Sequence, residues 1–402
     1  MTAETRDQRA VARWRNAIIA AFALGGVTMS TWGPRLPSLR SELGVDNSFL
    51  GLILGGVTVG SICGLLASTP LLGRLGARLG IRATLWLVSV GVAVIGLGAG
   101  IAHSVVLTTI GFVCVGFGIG AVDVMINVEG AAVERAAGRT LMPLMHAAWS
   151  AGVIVGSAIG AGSAALALPF AWQFVGEAAL VAIAATVATG FIPVAAPDEG
   201  AKAPMRDRFR DWLRGWTDLR LLLIGLVMLG VELGEGSANN WLTLGVRDGH
   251  GQPDAIAAAY FTVFAIGETA ARVGGGPLVD RMGRVMAIRI TTALGVVGLV
   301  FFILGGPAWI VLAGVVLWAV GVSMGFPLGM SAAADSGPNP AARVSVVASI
   351  GYLANLGGPP VIGALSEHVG LLHAMFLIIA LLVVGFFCAA ALRQPQTQVT
   401  HS

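Results

Sequence analysis

The stretch AAPDEGAKAPMRDRFRDWLRGWT, from Ala195 to Thr217, is the one long polar interruption of an otherwise apolar chain. Acidic and basic residues are mixed along it, which is typical of a solvated segment. The apolar halves on its two sides have nearly equal length. The sequence therefore predicts two similar parts joined by a polar linker.

The composition is that of an integral membrane protein. Of the 402 residues, 56% are hydrophobic and 11% are charged, and the mean hydropathy is +0.85. In soluble domains the charged fraction is about a quarter. The 57 glycines fit this interpretation, because small residues let helices approach closely in lipid. No cleavable signal is evident, so the first apolar helix is expected to remain as an anchor.

Twelve apolar runs are long enough to cross a bilayer, which takes about twenty residues each. Six lie on each side of the linker, so we predict an all-α integral membrane protein with 12 transmembrane helices. The regions would be a six-helix bundle at residues 1–194, a linker at 195–217 and a second six-helix bundle at 218–402. The runs are 15–34, 48–72, 83–102, 105–130, 141–164, 170–193, 219–244, 255–275, 285–304, 308–332, 342–364 and 370–392.

The distribution of basic residues predicts the orientation. An even number of spans places both termini on one side of the membrane. All but three of the 24 basic residues fall on that side, the exceptions being Arg35, Arg40 and Arg247. Basic residues accumulate in cytoplasmic loops. Both termini and the linker are therefore expected in the cytoplasm, and the net charge of +3 indicates orientation, not nucleic-acid binding.

The two halves are related by an offset of about 204 residues. Such a duplication with an even number of spans predicts two pseudo-symmetric bundles around an axis along the membrane normal. The first pair of similar segments is expected to form short cytoplasmic loops. The three pairs are 73–80 with 276–283, 116–120 with 321–325, and 150–152 with 355–357.

The loop Gly276 to Arg284, with its Asp-Arg and Gly-Arg pairs, resembles the signature of the major facilitator superfamily (MFS). The six-plus-six layout is similar to that family over the whole chain. A narrower resemblance is to the branch that contains the membrane proteins MosC and YbjJ. Its residues are Asp123, Asn127, Glu134, Arg139, Met142, His146, Trp149, Ser150, Gly152, Asn240, Trp241, Gly351, Tyr352, Gly357, Pro359 and Pro360.

This resemblance implies a secondary transporter, with no enzymatic activity, in the bacterial inner membrane. Two positions depart from the family pattern. Ala77 stands where the first-half loop usually has Asp, and Asn240 stands where Asp is expected before Trp241. The first departure suggests a weakened latch in the N-terminal half, and the second argues against a charge at Asn240.

Ionised side chains inside a membrane are costly and tend to mark functional sites. Asp123 and Asn127 share one face of helix 4, and His146 is expected at a similar depth on helix 5. These three, with Trp149 nearby, are predicted to bind substrate or protons. The alternative is an interhelical Asp-His hydrogen bond that only holds the two helices together.

Helix 7 presents Glu232, Glu235 and Asn239 on one stripe, at spacings of three and four. They are predicted to bind protons or solute, and a structural hydrogen bond is the alternative. On helix 11, Tyr352 and Asn355 are further candidates. Aromatic residues in such spans serve packing more often, and this applies equally to Trp318 on helix 10.

A second group of charges is predicted to act in gating. Arg35 could pair with Glu235 to close an outer gate, the alternative being a snorkelling or solvated Arg35. On the cytoplasmic face, Asp280, Arg281 and Arg284 could latch the bundles, as could the i,i+4 pair of Glu268 and Arg272; alternatively these arginines serve topology alone. Glu177 has no evident role beyond a polar contact with Gln173 or a position at the lipid edge.

The predicted function is alternating-access transport of a small polar solute, such as a sugar, inositol or amino sugar, by proton symport. Helix 5 carries the glycine ladder Gly152, Gly156 and Gly160 without the proline of the family's antiporter signature, which favours symport. The alternative is proton-antiporting efflux of drugs or amphipathic metabolites. An intramembrane enzyme using His146 with Asp123, or a sensor, fits the duplication less well.

The predicted partners are a small-molecule solute, protons and membrane lipids. It contains no phosphate-binding loop, no His-Glu-x-x-His and no paired-cysteine motif, so no cofactor or metal is expected. No nucleic-acid partner is expected either, and the protein is predicted to be a monomer.

Overall fold

The computed structural model describes residues 3–45, 47–194, 210 and 212–394, and all regular structure in those residues is helical. Most of the predicted linker, residues 195–209 and 211, lies outside them. The first seven elements are α1 (Ala3–Ser30), a 3-10 turn (Gly33–Arg35), α2 (Leu36–Leu43), α3 (Asn47–Gly100), α4 (Val105–Ala137), α5 (Met142–Ala165) and α6 (Phe170–Thr189).

The elements after the linker are again all helical. They are α7 (Leu219–Leu244), a π-helical turn (Gly245–Gly249), α8 (Asp254–Leu304), α9 (Ala308–Val322), α10 (Gly325–Ala334), α11 (Pro340–Val369), α12 (Leu371–Ala374), α13 (Phe376–Cys388) and a 3-10 turn (Ala389–Leu392).

Nine helical segments in the described part of the chain are long and apolar enough to cross a membrane. Two of these segments lie in α3 and α8, which have 54 and 51 residues. A straight helix of that length would extend about 80 Å, whereas the hydrocarbon core is about 30 Å thick. The segments are Gln8–Arg35, Leu52–Gly100, Val105–Ala137, Met142–Ala165, Phe170–Thr189, Leu219–Gly249, Ala259–Leu304, Ala308–Ala334 and Leu371–Leu392.

Both long helices are kinked at a glycine with a backbone conformation that other residues avoid. Gly76 has φ 69° and ψ 170°, and Gly283 has φ 78° and ψ 160°. The short loops predicted at 73–80 and 276–283 are therefore each reduced to a break at one glycine, with helical structure on both sides. Only glycine adopts these angles at little cost.

The kinks also correct the alignment of the two halves. Pro70 precedes Gly76 by the same six residues that separate Pro277 from Gly283. In this register Gly73, and not Ala77, corresponds to Asp280. The first half therefore still lacks the acidic residue of the signature, at a different position from the one predicted.

The described chain divides into two compact units, and the first consists of Met1–Gly138 and Met145–Phe209. Its helices pack through glycines. A Cβ atom at Gly116 of α4 would lie 2.1 Å from the carbonyl oxygen of Val57 in α3. On α5, a Cβ at Gly152 would lie 2.2 Å from the oxygen of Ala23 in α1. The packing role predicted for the α5 glycine ladder is confirmed.

The second unit consists of Arg139–Leu144 and Arg210–Ser402. Trp318 of α9 lies fully buried in its core, with ring centroids 5.5 Å from Phe264 and 5.3 Å from Phe302. Packing therefore explains Trp318. A Cβ at Gly321 would lie 2.2 Å from Gly295 Cα, so α9 and the second half of α8 also meet at glycines.

The end of the predicted linker packs against the second unit. The rings of Trp212 and Trp216 meet edge to face at 5.7 Å, and a Cβ at Gly215 would lie 2.8 Å from Val346 of α11. Asp218 then begins α7, its Oδ1 accepting hydrogen bonds from the backbone N–H groups of the first turn. The large indole rings of Trp212 and Trp216 are half-buried, which explains why this end of the linker packs against the helices.

Candidate substrate and proton sites

In the first unit, α4 and α5 bring three predicted residues into one hydrogen-bonded chain. Asn127 Nδ2 donates to Asp123 Oδ1 at 3.1 Å and to the Asp123 carbonyl oxygen at 2.8 Å. His146 Nε2 lies 3.1 Å from Asn127 Oδ1. The predicted proximity is confirmed, and Asn127 bridges Asp123 and His146.

The orientation of Asn127 determines the state of His146. Because the Asn127 amide donates to Asp123, its oxygen faces His146 and can only accept. Nε2 of His146 therefore carries a hydrogen. The ring also meets Phe22 of α1 edge to face, with centroids 4.9 Å apart. These contacts fix the imidazole in one orientation within an apolar bundle.

The whole network is removed from solvent. Asp123 is 5% exposed, Asn127 0% and His146 8%. Leaving a buried polar group unsatisfied costs about 1–3 kcal/mol. Removing one member of the network is therefore expected to destabilise its neighbours as well. A carboxyl and an imidazole joined through an amide can bind a proton or the hydroxyl groups of a solute. Trp149 is half-buried one turn after His146, beside Gly25 of α1.

In the second unit, Arg272 of α8 is the centre of a buried charge cluster. Its Nη2 lies 2.6 Å from Glu235 Oε2 of α7 and 2.8 Å from Glu268 Oε1, one turn earlier on α8. Arg272 and Glu268 are 6% and 8% exposed. The predicted pair of Glu268 and Arg272 thus exists, but it belongs to this buried cluster and not to the cytoplasmic surface.

The third partner of Arg272 lies at a break within the tenth predicted span, residues 308–332. α9 ends at Val322 and α10 begins at Gly325. Carbonyl groups at the end of a helix lack intrahelical partners and carry partial negative charge. Arg272 Nε donates to the carbonyl oxygen of Ser323 at 3.2 Å. The guanidinium therefore links α7 and α8 to the discontinuous helix.

Glu232 adds a further carboxyl to the same region. It lies one turn before Glu235 on α7, is 5% exposed and is within electrostatic reach of Arg272. A Cβ at Gly351 of α11 would lie 3.4 Å from Glu232 Cγ, so a glycine leaves space beside this side chain. Three carboxyl groups thus lie near one guanidinium.

The remaining predicted binding residues lie at varied positions. Asn239 is exposed on α7, directly after the buried Ala238, and Tyr352 is half-buried on α11. The side chain of Asn355 lies outside the described part of the chain. Asn240, the residue that departs from the branch pattern, donates to the Gly236 carbonyl oxygen at 2.6 Å.

The predicted gating residues make contacts within their own units. Arg35 is 4% exposed, donates to the Leu168 carbonyl oxygen at 3.0 Å and lies 5.4 Å from the centroid of Phe170. A solvated Arg35 is therefore excluded. The pairing of Arg35 with Glu235 remains a prediction, and Glu235 is already paired with Arg272.

Residues of the signature segment interact with other parts of the second unit. Asp280 Oδ1 accepts a hydrogen bond from the Thr140 backbone N–H at 2.7 Å. Arg284 is 5% exposed and pairs with Asp335 at 2.9 Å, and its Nη2 also donates to Ser331. Arg281 is exposed.

Several contacting residues could not be found from the sequence. Asp335, Ser331 and the Ser323 carbonyl give no pattern, because their partners are about fifty residues away. Ser323 stood within a repeat motif, which could have indicated a break. Glu177 and Gln173 both bind the Thr31 hydroxyl, and the direct contact between them that one alternative predicted stays a prediction.

Among the described residues, no group of three or more His, Cys, Asp and Glu could hold a metal ion. The site chemistry available is therefore that of carboxyl, imidazole, amide and guanidinium groups on apolar helices. Helical bundles of this kind, with buried polar clusters in each of two units, define a membrane transporter.

Comparisons with known proteins agree with this class. The sequence model of the Major Facilitator Superfamily matches residues 17–352 and 226–401, so the chain belongs to that superfamily. It is 28% identical over 396 residues to the uncharacterized transporter y4wD of Sinorhizobium fredii, covering 95% of this chain and 97% of that protein. It is 23% identical to the membrane protein MosC of Rhizobium meliloti, over 93% and 88% of the two chains.

Solved structures resemble the whole fold. The transporter FucP in its outward conformation superposes with a TM-score of 0.80 at 16% identity, covering 95% of this chain and 99% of that one. A second structure of FucP, described as the fucose:proton symporter of E. coli, gives 0.76 at 15% identity over 95% and 98%. At such identities the likeness concerns the fold alone.

Proposed function

We propose that this MFS transporter moves a small polar solute across the bacterial inner membrane by alternating access, coupled to proton symport. The observation that carries the proposal is the acidic cluster of the second unit. Glu232, Glu235 and Glu268 are near one cation, Arg272. Carboxyl groups gathered in a buried membrane site are suited to bind and release protons or to bind a cationic ligand.

The first unit supplies the groups suited to a hydroxylated solute. Asp123, Asn127 and His146 present carboxyl, amide and imidazole groups that can donate to and accept from hydroxyls. A sugar, inositol or amino sugar has this chemistry. Trp149, Tyr352 and Asn355 are proposed as further contacts, together with Asn239. The description of FucP as a fucose:proton symporter is consistent with this choice.

The proposed topology has twelve spans with both termini in the cytoplasm. The nine candidate spans yield this number if α3 and α8 each cross twice, on either side of their kinks, and α11 crosses once. Residues Pro340–Ala354 of α11 form a shorter apolar helix. Reporter fusions at the two termini and after Ser104 test the arrangement, since activity outside the cell at either terminus would contradict it.

Asp280, Arg281 and Arg284 are proposed to control opening toward the cytoplasm. The hydrogen bond from Thr140 to Asp280 supports this role, because it ties the segment after α4 to the kinked region of α8. Arg35 is proposed to act at the opposite end. Release of these contacts would accompany the conformational change of the transport cycle.

Transport assays in proteoliposomes test the proposal. Labelled sugars, inositols and amino sugars are offered with and without an inward proton gradient. We expect gradient-driven uptake in the wild type, and its loss in Glu232→Gln and Asp123→Asn. Glu367→Gln, an exposed residue of α11, is the matched control and keeps uptake. Gradient-driven expulsion of an amphipathic compound would instead support antiport, and unchanged flux in the double variant of Glu232 and Asp123 would refute the site.

A further inference from the structure

A second buried acidic site lies in the first unit, between the end of α1 and α6. Thr31 Oγ1 donates to Glu177 Oε2 at 2.6 Å, and Gln173 Nε2 donates to Thr31 Oγ1 at 3.2 Å. Thr31 is 0% exposed, Glu177 5% and Gln173 8%. Gln173 and Glu177 are one helical turn apart, so both side chains lie on the same face of α6.

Two oxygen atoms of this cluster are buried without a hydrogen-bond partner. They are Oε1 of Glu177 and Oε1 of Gln173. Each belongs to a side chain that already contacts the Thr31 hydroxyl through its other terminal atom. An ionised carboxylate can only accept, and so can an amide oxygen, so neither could satisfy the other.

In the described parts of the two helices that pack most extensively on α6, no residue provides a cation for Glu177. α6 packs against α1 and α3. In α1 no residue from Asn16 to Ser30 is titratable, and in α3 none lies between Arg82 and Gly100. Arg82 binds Thr189 and Thr186, at the other end of α6. Arg35, on the turn after α1, donates to the Leu168 carbonyl oxygen and lies over Phe170.

We propose that Glu177 is a proton-binding site and that it is occupied at neutral pH. When protonated, Glu177 Oε1 becomes a donor, and Gln173 Oε1 is an acceptor in the same cluster that also lacks a partner. The neutral acid also avoids burying an uncompensated charge in a span, Phe170–Thr189, that contains no basic residue. Oε2 keeps the hydrogen bond from Thr31, and the protonated carboxyl thus holds α6 against the end of α1.

This site is separate from the groups proposed to bind solute. Glu177 and Gln173 both bind the Thr31 hydroxyl, whereas Asp123 and His146 are linked through Asn127. Its occupancy by a proton requires no assumption about the transported solute. A failed transport assay would therefore leave it intact, and its own failure would leave the proposed function intact.

Infrared spectroscopy and thermal unfolding of the purified full-length protein test the proposal. At neutral pH the difference spectrum between the wild type and Glu177→Gln is expected to show a carboxylic-acid C=O band that shifts in heavy water. The Gln side chain reproduces the neutral acid, because its amide hydrogen can donate to Gln173 Oε1. We therefore expect the melting temperature of Glu177→Gln to match the wild type, and that of Glu177→Ala to fall by several degrees.

Glu367→Gln is the control for both measurements and is expected to leave the band and the melting temperature unchanged. Three results would overturn the proposal. The first is the same carboxylic-acid band in wild type and Glu177→Gln. The second is a loss of stability in Glu177→Gln as large as that in Glu177→Ala. The third is stabilisation of the wild type by Na⁺ over K⁺ that Glu177→Gln abolishes, because the cluster would then hold a metal cation.

Discussion

Arg272 Nη2 lies 2.6 Å from Glu235 Oε2, and this ion pair joins α8 to α7 within the membrane-spanning part of the second unit. The two side chains are 7% and 22% exposed. The same guanidinium serves Glu268 and the open carbonyl of Ser323. One residue thus connects two spans and the break in a third, so its removal should affect stability and transport together.

Arg272→Ala is expected to be strongly destabilising, because it leaves the buried acids without their cation. Breaking a buried pair by removing one partner costs about 3–5 kcal/mol. Thermal unfolding in detergent measures the loss. Adding Glu235→Gln should recover part of the stability without recovering transport. Arg281→Ala, an exposed arginine of the same helix, is the control. Equal melting temperatures for Arg272→Ala and Arg281→Ala would contradict the cluster.

Asn127→Leu is expected to uncouple His146 from Asp123. Leucine has a similar volume but cannot bridge the two groups, and each buried hydrogen bond that is lost costs about 0.5–1.5 kcal/mol. Unfolding measures the stability, and nitrogen NMR of the histidine ring reports the loss of the fixed Nε2–H form. Thr84→Val removes a buried hydroxyl that bonds only within its own helix, to Gly80 and Ile81. If both variants behaved alike, Asn127 would have no bridging role.

Gly152→Ala and Gly162→Ala should have opposite effects on stability, although both lie on α5. A Cβ at Gly152 would approach the Ala23 oxygen to 2.2 Å, which forces α1 and α5 apart. A Cβ at Gly162 would meet nothing within 4 Å. Ala in place of Gly in a helix interior then stabilises by up to about 1 kcal/mol. Melting temperatures of the two variants decide the point, and equal losses would refute the close packing.

Asp218 predicts a pH dependence at the start of α7. Burial alone would raise the pKa of Asp218. Hydrogen bonds from Arg343 and from the backbone N–H groups of Leu221 and Arg220, with the charge of Arg343, lower the pKa below its ordinary value. A lowered pKa means that the ionised form stabilises the fold above the unfolded-state pKa. That stability is lost as the pH falls through the lowered pKa.

Asp218→Asn isolates the ion pair, because asparagine still caps the helix. At neutral pH the variant should melt below the wild type, and the difference should shrink as the pH falls below about 4. Melting temperatures across this range provide the measurement. Asp218→Ala should be less stable than Asp218→Asn at every pH because it also loses the cap. A difference between wild type and Asp218→Asn that persists at low pH would contradict the assignment.

The polar residues of α4 and α5 show how far sequence patterns extend. Helical spacing predicts that Asp123 and Asn127 share one face, and His146 is predicted at a similar depth on the next helix. The structure places all three in one hydrogen-bonded network. For Glu268 and Arg272 the spacing predicted the pair but not its place. Glu235 and Ser323 come from other helices, and no local period indicates which helix packs against which.

The sequence by itself determined that the chain is helical, apolar and duplicated, because these properties depend on composition, local period and repeat spacing. It also identified most of the buried acidic residues, since charges in apolar runs are conspicuous. Only the tertiary structure decided that a single glycine, Gly76 in α3 and Gly283 in α8, separates two helical segments, that Ser323 lies at a break bound by Arg272, and that Glu177 shares a hydroxyl with Gln173. These features depend on backbone angles and on contacts between segments that are distant in the sequence. Hydrogen bonding and close packing in the folded protein determine which segments meet.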